Sequence, residues 1–252
     1  MVETLDQRID RFKLYFENHL SDISRIDCNH NTIHYQRILY MAVLDSLSKR
    51  IYPSEKNKSR MKKLLNDFSE WKYINHISLP HLLRILNLVQ DSAFTQLRQY
   101  AIIEQNKWID GELVILDHDP TYIDICNKWP CNYKYQFPTL PGTKRQLHLE
   151  ELKHVNLFYN LRCNLIHEFK AMGKLASDPE PDCISHEPYY GLLLEFKSKQ
   201  EKSITSWELE YPLTFYKEIT SKCLENVMNY LHLNQIDPIQ PQGSFWIDIL
   251  ND

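Results

Sequence analysis

The chain has little glycine. There are five in 252 residues, at Gly111, Gly142, Gly173, Gly191 and Gly243. From those positions neither a G-x-G-x-x-G turn nor a Walker-type phosphate loop can be written, and the G-x-S-x-G nucleophile elbow is also missing. No apolar run approaches the roughly 20 residues a spanning helix needs. The first ten residues, MVETLDQRID, are charged and carry no apolar signal core. Six cysteines over this length do not make a dense disulfide framework. Net charge is −4, which argues against a general nucleic-acid coat but leaves room for one local basic patch. The expectation is a cytoplasmic, reduced protein with no membrane association.

Metal-binding patterns are thin. Cys126-x4-Cys131, with His118 upstream, lacks a second tight ligand pair, and His30-x3-His34 lacks a nearby carboxylate. Asp117-His118-Asp119 precedes a proline and reads as a turn. No metal and no cofactor are expected.

What is present is helical periodicity. Ile9, Phe12, Phe16, Leu20 and Ile23 recur at steps of three and four, so residues 4–24 should form an amphipathic helix. Residues 31–51 carry a broad apolar surface ending before Pro53 and should form a central helix. Ser54 is placed to cap a third helix, which carries Lys56, Lys58, Arg60, Lys62 and Lys63 ahead of Leu64, Leu65 and Phe68. Further helices are expected over 78–89, 93–107, 144–171 and 213–232. Residues 108–142 hold four prolines and many aromatics, and read as an irregular, ordered excursion. Residues 189–196 and 206–211 read as two strands of a hairpin, with Trp207, Leu209 and Tyr211 alternating with glutamates. The segment FWIDIL, 245–250, is an apolar patch expected to pack on the body or on a second subunit. The expected fold is mainly α, a helical bundle with a small inserted β-hairpin (about 189–211), in one domain over 1–252.

Residues 157–170, LFYNLRCNLIHEFK, set Arg162 and His167 on a strongly apolar helical segment, with Asn164 between them and Glu168 after. A guanidinium holds phosphate through a fixed fork of donors, and an imidazole moves protons near neutral pH. The spacing by itself is cheap: ten Arg and eleven His give about 0.4 such pairs by chance. A second copy, Arg25 to His30, falls in DISRIDCNHN, which reads as a loop. The bland alternative for the first copy is an arginine paired with Glu168 or another acid, beside a structural histidine.

With Arg162-Cys-Asn-Leu-Ile-His167 matching an Arg-x4–6-His motif on a late helix, and the apolar LYMAVLDSLSKRIYP at 39–53, the chain resembles the HEPN superfamily of helical proteins. That resemblance implies a metal-independent endoribonuclease of a defence or toxin system, working as a homodimer across the motif helix. Its substrate would be RNA, and an antitoxin or defence-system partner would accompany it. The implied catalytic set is Arg162, His167, Asn164 and Glu168. His167 would serve as general acid or base, and Arg162 would stabilise phosphorane-like charge. Asn164 would orient His167 or bind phosphate. RNA contacts are expected from Lys170 and Lys174, and from Lys56, Lys58, Arg60, Lys62 and Lys63. Some members carry a tyrosine two residues after the histidine, where AMP is added; here that residue is Phe169. The alternative is a catalytically silent, HEPN-like module that binds a nucleotide or dimerises.

Overall fold

Thr4 opens the first helix with a reciprocal cap. Its hydroxyl accepts from the Gln7 N–H, and the Gln7 side chain accepts from the Thr4 N–H. The helix, α1 (Leu5–Arg25), buries Ile9, Phe12, Phe16 and Ile23 as its periodicity predicts. Its last turn takes in Arg25, so the polar stretch read as a loop is helical through that residue. The computed structural model describes residues 3–28, 31–109, 113–142, 145–168, 186–195 and 204–238.

α2 (Thr32–Ile51) is the central helix, with Tyr40, Met41, Leu44 and Leu47 almost wholly buried. It packs against α1, against α3 (Asn57–Phe68) and against α8 (Leu213–Asn234). Ser54 does not cap α3; Lys56 occupies that position without a side-chain cap. α4 (Leu79–Leu88) and α5 (Thr95–Gln105) pair beside this core. No helix among the described residues is long and apolar enough to cross a membrane.

The excursion is more regular than its prolines suggest. It contributes β1 (Val114–Ile115) and α6 (Tyr122–Cys126), the latter opened by a Thr121–Asp124 capping box. β1 pairs antiparallel with β2 (Tyr189–Glu195), which pairs antiparallel with β3 (Ile204–Glu210). The expected hairpin is therefore two-thirds of a three-stranded sheet, because the short LVIL run adds an edge strand.

The motif helix is also shorter than expected. α7 spans His154–Cys163 and does not begin near 144. Residues 147–153 instead pair with other segments: the Phe137 N–H donates to the Leu147 carbonyl, Leu149 to that of Tyr135, and Ser78 to that of Leu152. These tertiary backbone bonds confine the local helical pattern to a 3₁₀ turn at Leu149–Leu152. After α7 the backbone winds into a π turn over Asn164–Glu168. Residues 169–171 of the expected helix, and the patch at 245–250, lie outside the described residues.

One buried carboxylate ties these segments together. Asp119, 3% exposed, accepts from the backbone N–H of Leu79 at 2.8 Å, from His154 Nε2 at 2.7 Å and from the Tyr190 hydroxyl at 2.6 Å. The Tyr190 oxygen also lies 2.7 Å from Ser78 Oγ, which lies 2.7 Å from His81 Nδ1. A phenol has one proton and gives it to the carboxylate, so Ser78 donates back to the phenol oxygen and His81 Nδ1–H donates to Ser78. Every proton in the chain then has an acceptor. Burial, then the Asp119 charge, pushes the Tyr190 hydroxyl well above its ordinary range. Burial, with smaller help from His154, pushes His81 down to about 4.

Two outcomes follow. Asp119→Ala strands three buried donors and should cost about 3–5 kcal/mol in urea unfolding; a loss under about 1 kcal/mol would remove the carboxylate from its structural role. His81 folds with a pKa below its ordinary 6.5. Unfolding then takes up a proton between pH 6.5 and 4, and acid in that window favours the unfolded chain. From pH 7 to pH 4 the wild type should lose about 1–3 kcal/mol more than His81→Asn, measured by denaturation at each pH. Parallel pH curves would refute this.

Candidate functional site

Arg162 is the last but one residue of α7 and is 6% exposed. Its Nη2 lies 3.1 Å from Asp45 Oδ2 on α2. Arg60 on α3 reaches the same carboxylate, with its Nη2 at 3.4 Å from both oxygens. Three helices thus converge on one acid, the only one in α2. Arg60 is almost wholly buried, and its Nε has no hydrogen-bond partner. Its bonds to Asp45 are long for charge-assisted pairs, which sit near 2.7–2.9 Å. The arrangement therefore holds a buried guanidinium with donor capacity to spare.

Arg162 is paired with an acid, as the bland alternative also has it. The acid is Asp45, one helix away. The signal for it lies in the sequence: a lone aspartate inside LYMAVLDSLS is held close to the core by its neighbours and favours a cation beside it.

Asn164 opens the π turn and is half-buried. The backbone of His167 and Glu168 belongs to that turn, and their side chains lie outside the described residues. In a regular α-helix, positions five apart point about 140° from each other. A π turn closes its hydrogen bond on the fifth residue, which brings such positions towards one face. Single π turns inside α-helices recur at functional sites for this kind of re-aiming.

The lysine run of α3 divides by face. Arg60 is drawn into the Asp45 cluster, and Lys63 turns to Glu55 and the Tyr52 ring. Arg60 is therefore not on the open lysine face with the others, and Lys63, though half exposed, is engaged by an acid. Lys56 is exposed at the start of α3. Lys58 and Lys62 turn towards α7, Lys58 Nζ standing 6.0 Å over the Tyr159 ring. Burial, then repulsion from Lys58, lowers the pKa of Lys62; Glu150 opposes this, and Lys153 adds a smaller repulsion. Lys58, Lys62 and Lys153 thus stand together beside the motif helix, with Glu150 among them paired to Lys153. Lys170 and Lys174 lie outside the described residues.

Cys126 and Cys131 carry free thiols, and no group of three or more His, Cys, Asp or Glu among the described residues is placed to hold a metal. Asp117 and His118 lie at the surface, 3.6 Å apart, while Asp119 turns inward to the buried network. Neither a family model, nor a curated protein, nor a solved structure matches this chain.

Asp45→Ala leaves two buried guanidiniums without their shared carboxylate. It should cost about 2–4 kcal/mol of unfolding free energy, discounted for the partial exposure of Asp45. Asp45→Asn should recover part of that loss. A fully stable Asp45→Ala protein would show that the cluster does not hold α7 to α2 and α3.

Proposed function

We propose that this chain is a HEPN-type, metal-independent endoribonuclease of a defence or toxin system, cytoplasmic and homodimeric across the motif helix. The observation that supports it best is the pair of guanidiniums, Arg162 and Arg60, drawn to one carboxylate, with Arg162 two residues before the π segment that carries His167. A phosphate entering there can take up the spare donors of Arg60 and compete with Asp45 for the forks of both arginines. Lys58 and Lys62 would hold the flanking backbone of the RNA.

In the reaction, a 2′-hydroxyl loses its proton to one imidazole and attacks the adjacent phosphorus. The bond to the 5′-oxygen breaks, and that oxygen takes a proton from an imidazolium. The products are a 2′,3′-cyclic phosphate and a 5′-hydroxyl. Two motif sets in a dimer supply both histidines, and the guanidiniums stabilise the charge on the phosphorane-like transition state. Asn164 orients His167 or binds phosphate, and Glu168 completes the set.

The burial of Arg162 favours a second reading, a catalytically silent module that binds a nucleotide or dimerises. An arginine committed to Asp45 can be structural, and a binding module needs no proton transfer.

Labelled single-stranded RNA incubated with the purified protein in EDTA separates the two. Cleavage leaving cyclic-phosphate ends is expected from wild type. His167→Ala should lower the rate by about 10²–10⁴ with fold and dimer intact, and Arg162→Ala by about 10²–10³. Full activity in His167→Ala would end the enzyme reading. No cleavage, with nucleotide affinity that drops in Arg162→Ala, would establish the silent module.

A further inference from the structure

We infer that the outer groove between α1 and α2 is a docking site for an acidic amphipathic helix of a partner protein. α2 is covered by α3 and α8, but its contact with α1 leaves an open cleft of about 690 Å³. Gln36 Nε2 donates to the Ile23 carbonyl, which fixes the start of α2 against the end of α1 and makes the pair antiparallel. One wall is the α1 stripe Arg11, Tyr15 and His19; the other is the α2 stripe Leu39, Ala42 and Ser46. Phe16 and Val43 form part of the floor.

Three features select the occupant. The wall from Arg11 to Ile26 runs about 22 Å, four helical turns, which suits a helix of about 15 residues. The small side chains of Ala42 and Ser46 let another backbone come close, and Tyr15, 59% exposed, and Leu39 offer apolar anchors. The rim then sets the charge. Lys49 and Arg50 stand exposed at the end of α2 with no ion-pair partner among the described residues, Arg11 is held by Glu3, and Asp22 is the one acid in the lining. A local cationic rim on a chain of net charge −4 is complementary to a helix carrying glutamates beside an apolar stripe.

The test uses the full-length protein and fluorescence anisotropy. The probe is a labelled synthetic helix of about 16 residues, with leucines at steps of three and four and glutamates elsewhere; its counterpart has lysines for the glutamates. The acidic peptide should bind at least about tenfold more tightly, and less so at high salt. The exposed double change Lys49→Glu/Arg50→Glu should reverse the preference, and Ala42→Trp should abolish binding, with thermal melts confirming that each variant folds. Equal binding of both peptides, or none, overturns the proposal. So does a shift in the monomer–dimer balance on Ala42→Trp without peptide, which assigns the groove to a second copy. A Trp246→Asp protein that binds the acidic peptide over tenfold more tightly than wild type also overturns it, by giving the groove to the chain's own 245–250 segment.

Discussion

The carboxylate of Asp119 is the constraint on which the arrangement of the described segments depends. It sits at zero side-chain exposure, and a charge there is tolerable only because three donors surround it. Those donors come from the start of α4, the first residue of α7 and the middle strand of the sheet. Remove any one segment and the carboxylate loses a partner it cannot replace with water. The backbone bonds around it tighten the same joint: the Ile77 N–H donates to the Pro120 carbonyl, His154 to that of His76, and Val155 to that of Ile74. The joint therefore fixes where α7 begins.

α7 is held differently at its two ends. The first turn is locked by His154 in the network, and the middle by Phe158 against Trp71, Tyr211 and Phe215. Towards its C-terminal end and just beyond, Leu161 and Leu165 are buried in the core, and Asp45 with the two arginines adds an ionic link to α2 and α3. The helix departs from α geometry immediately after that ionic contact. The ionic link is thus the polar part of a junction whose apolar part is Leu161 and Leu165.

Much of this was legible in the residues. The apolar period of α1 is buried at four of its five positions, Leu20 being partly covered, and the broad apolar surface of α2 is buried at Tyr40, Val43, Leu44 and Leu47, because helical burial follows local spacing. The excursion was hard to read because its order comes from partners far away in the chain. Val114 and Ile115 become a strand only when Tyr189 and Tyr190 arrive to pair with them, and the turn-like Asp119 is drawn inward by donors 35 and 71 residues on. The start of α7 was overextended for the same reason: residues 147–152 find backbone partners at 135, 137 and 78 that no local pattern reveals. The candidate site was half visible. Arg162 and Asn164 could be picked out from their helix, but Asp45 and the turning of Arg60 away from solvent depend on which faces of α2 and α3 meet.

The two proposals meet on α2. On an ideal helix Asp45 points about 40° from Lys49 and about 60° from Ala42, so the groove stripe and the arginine cluster occupy adjoining faces of one rod. A carboxylate-rich helix lying in the groove would place negative charge on the face of α2 next to the guanidiniums that would hold phosphate, an effect that salt screens over roughly 8 Å. It makes the potential there more negative and so opposes the arrival of a further anion such as phosphate. An anionic RNA in the cluster opposes the arrival of that helix by the same amount, because the coupling between two binding events is reciprocal. On the two proposals together, an acidic partner seated on α1 and α2 would restrain RNA binding through its charge, without covering the motif helix.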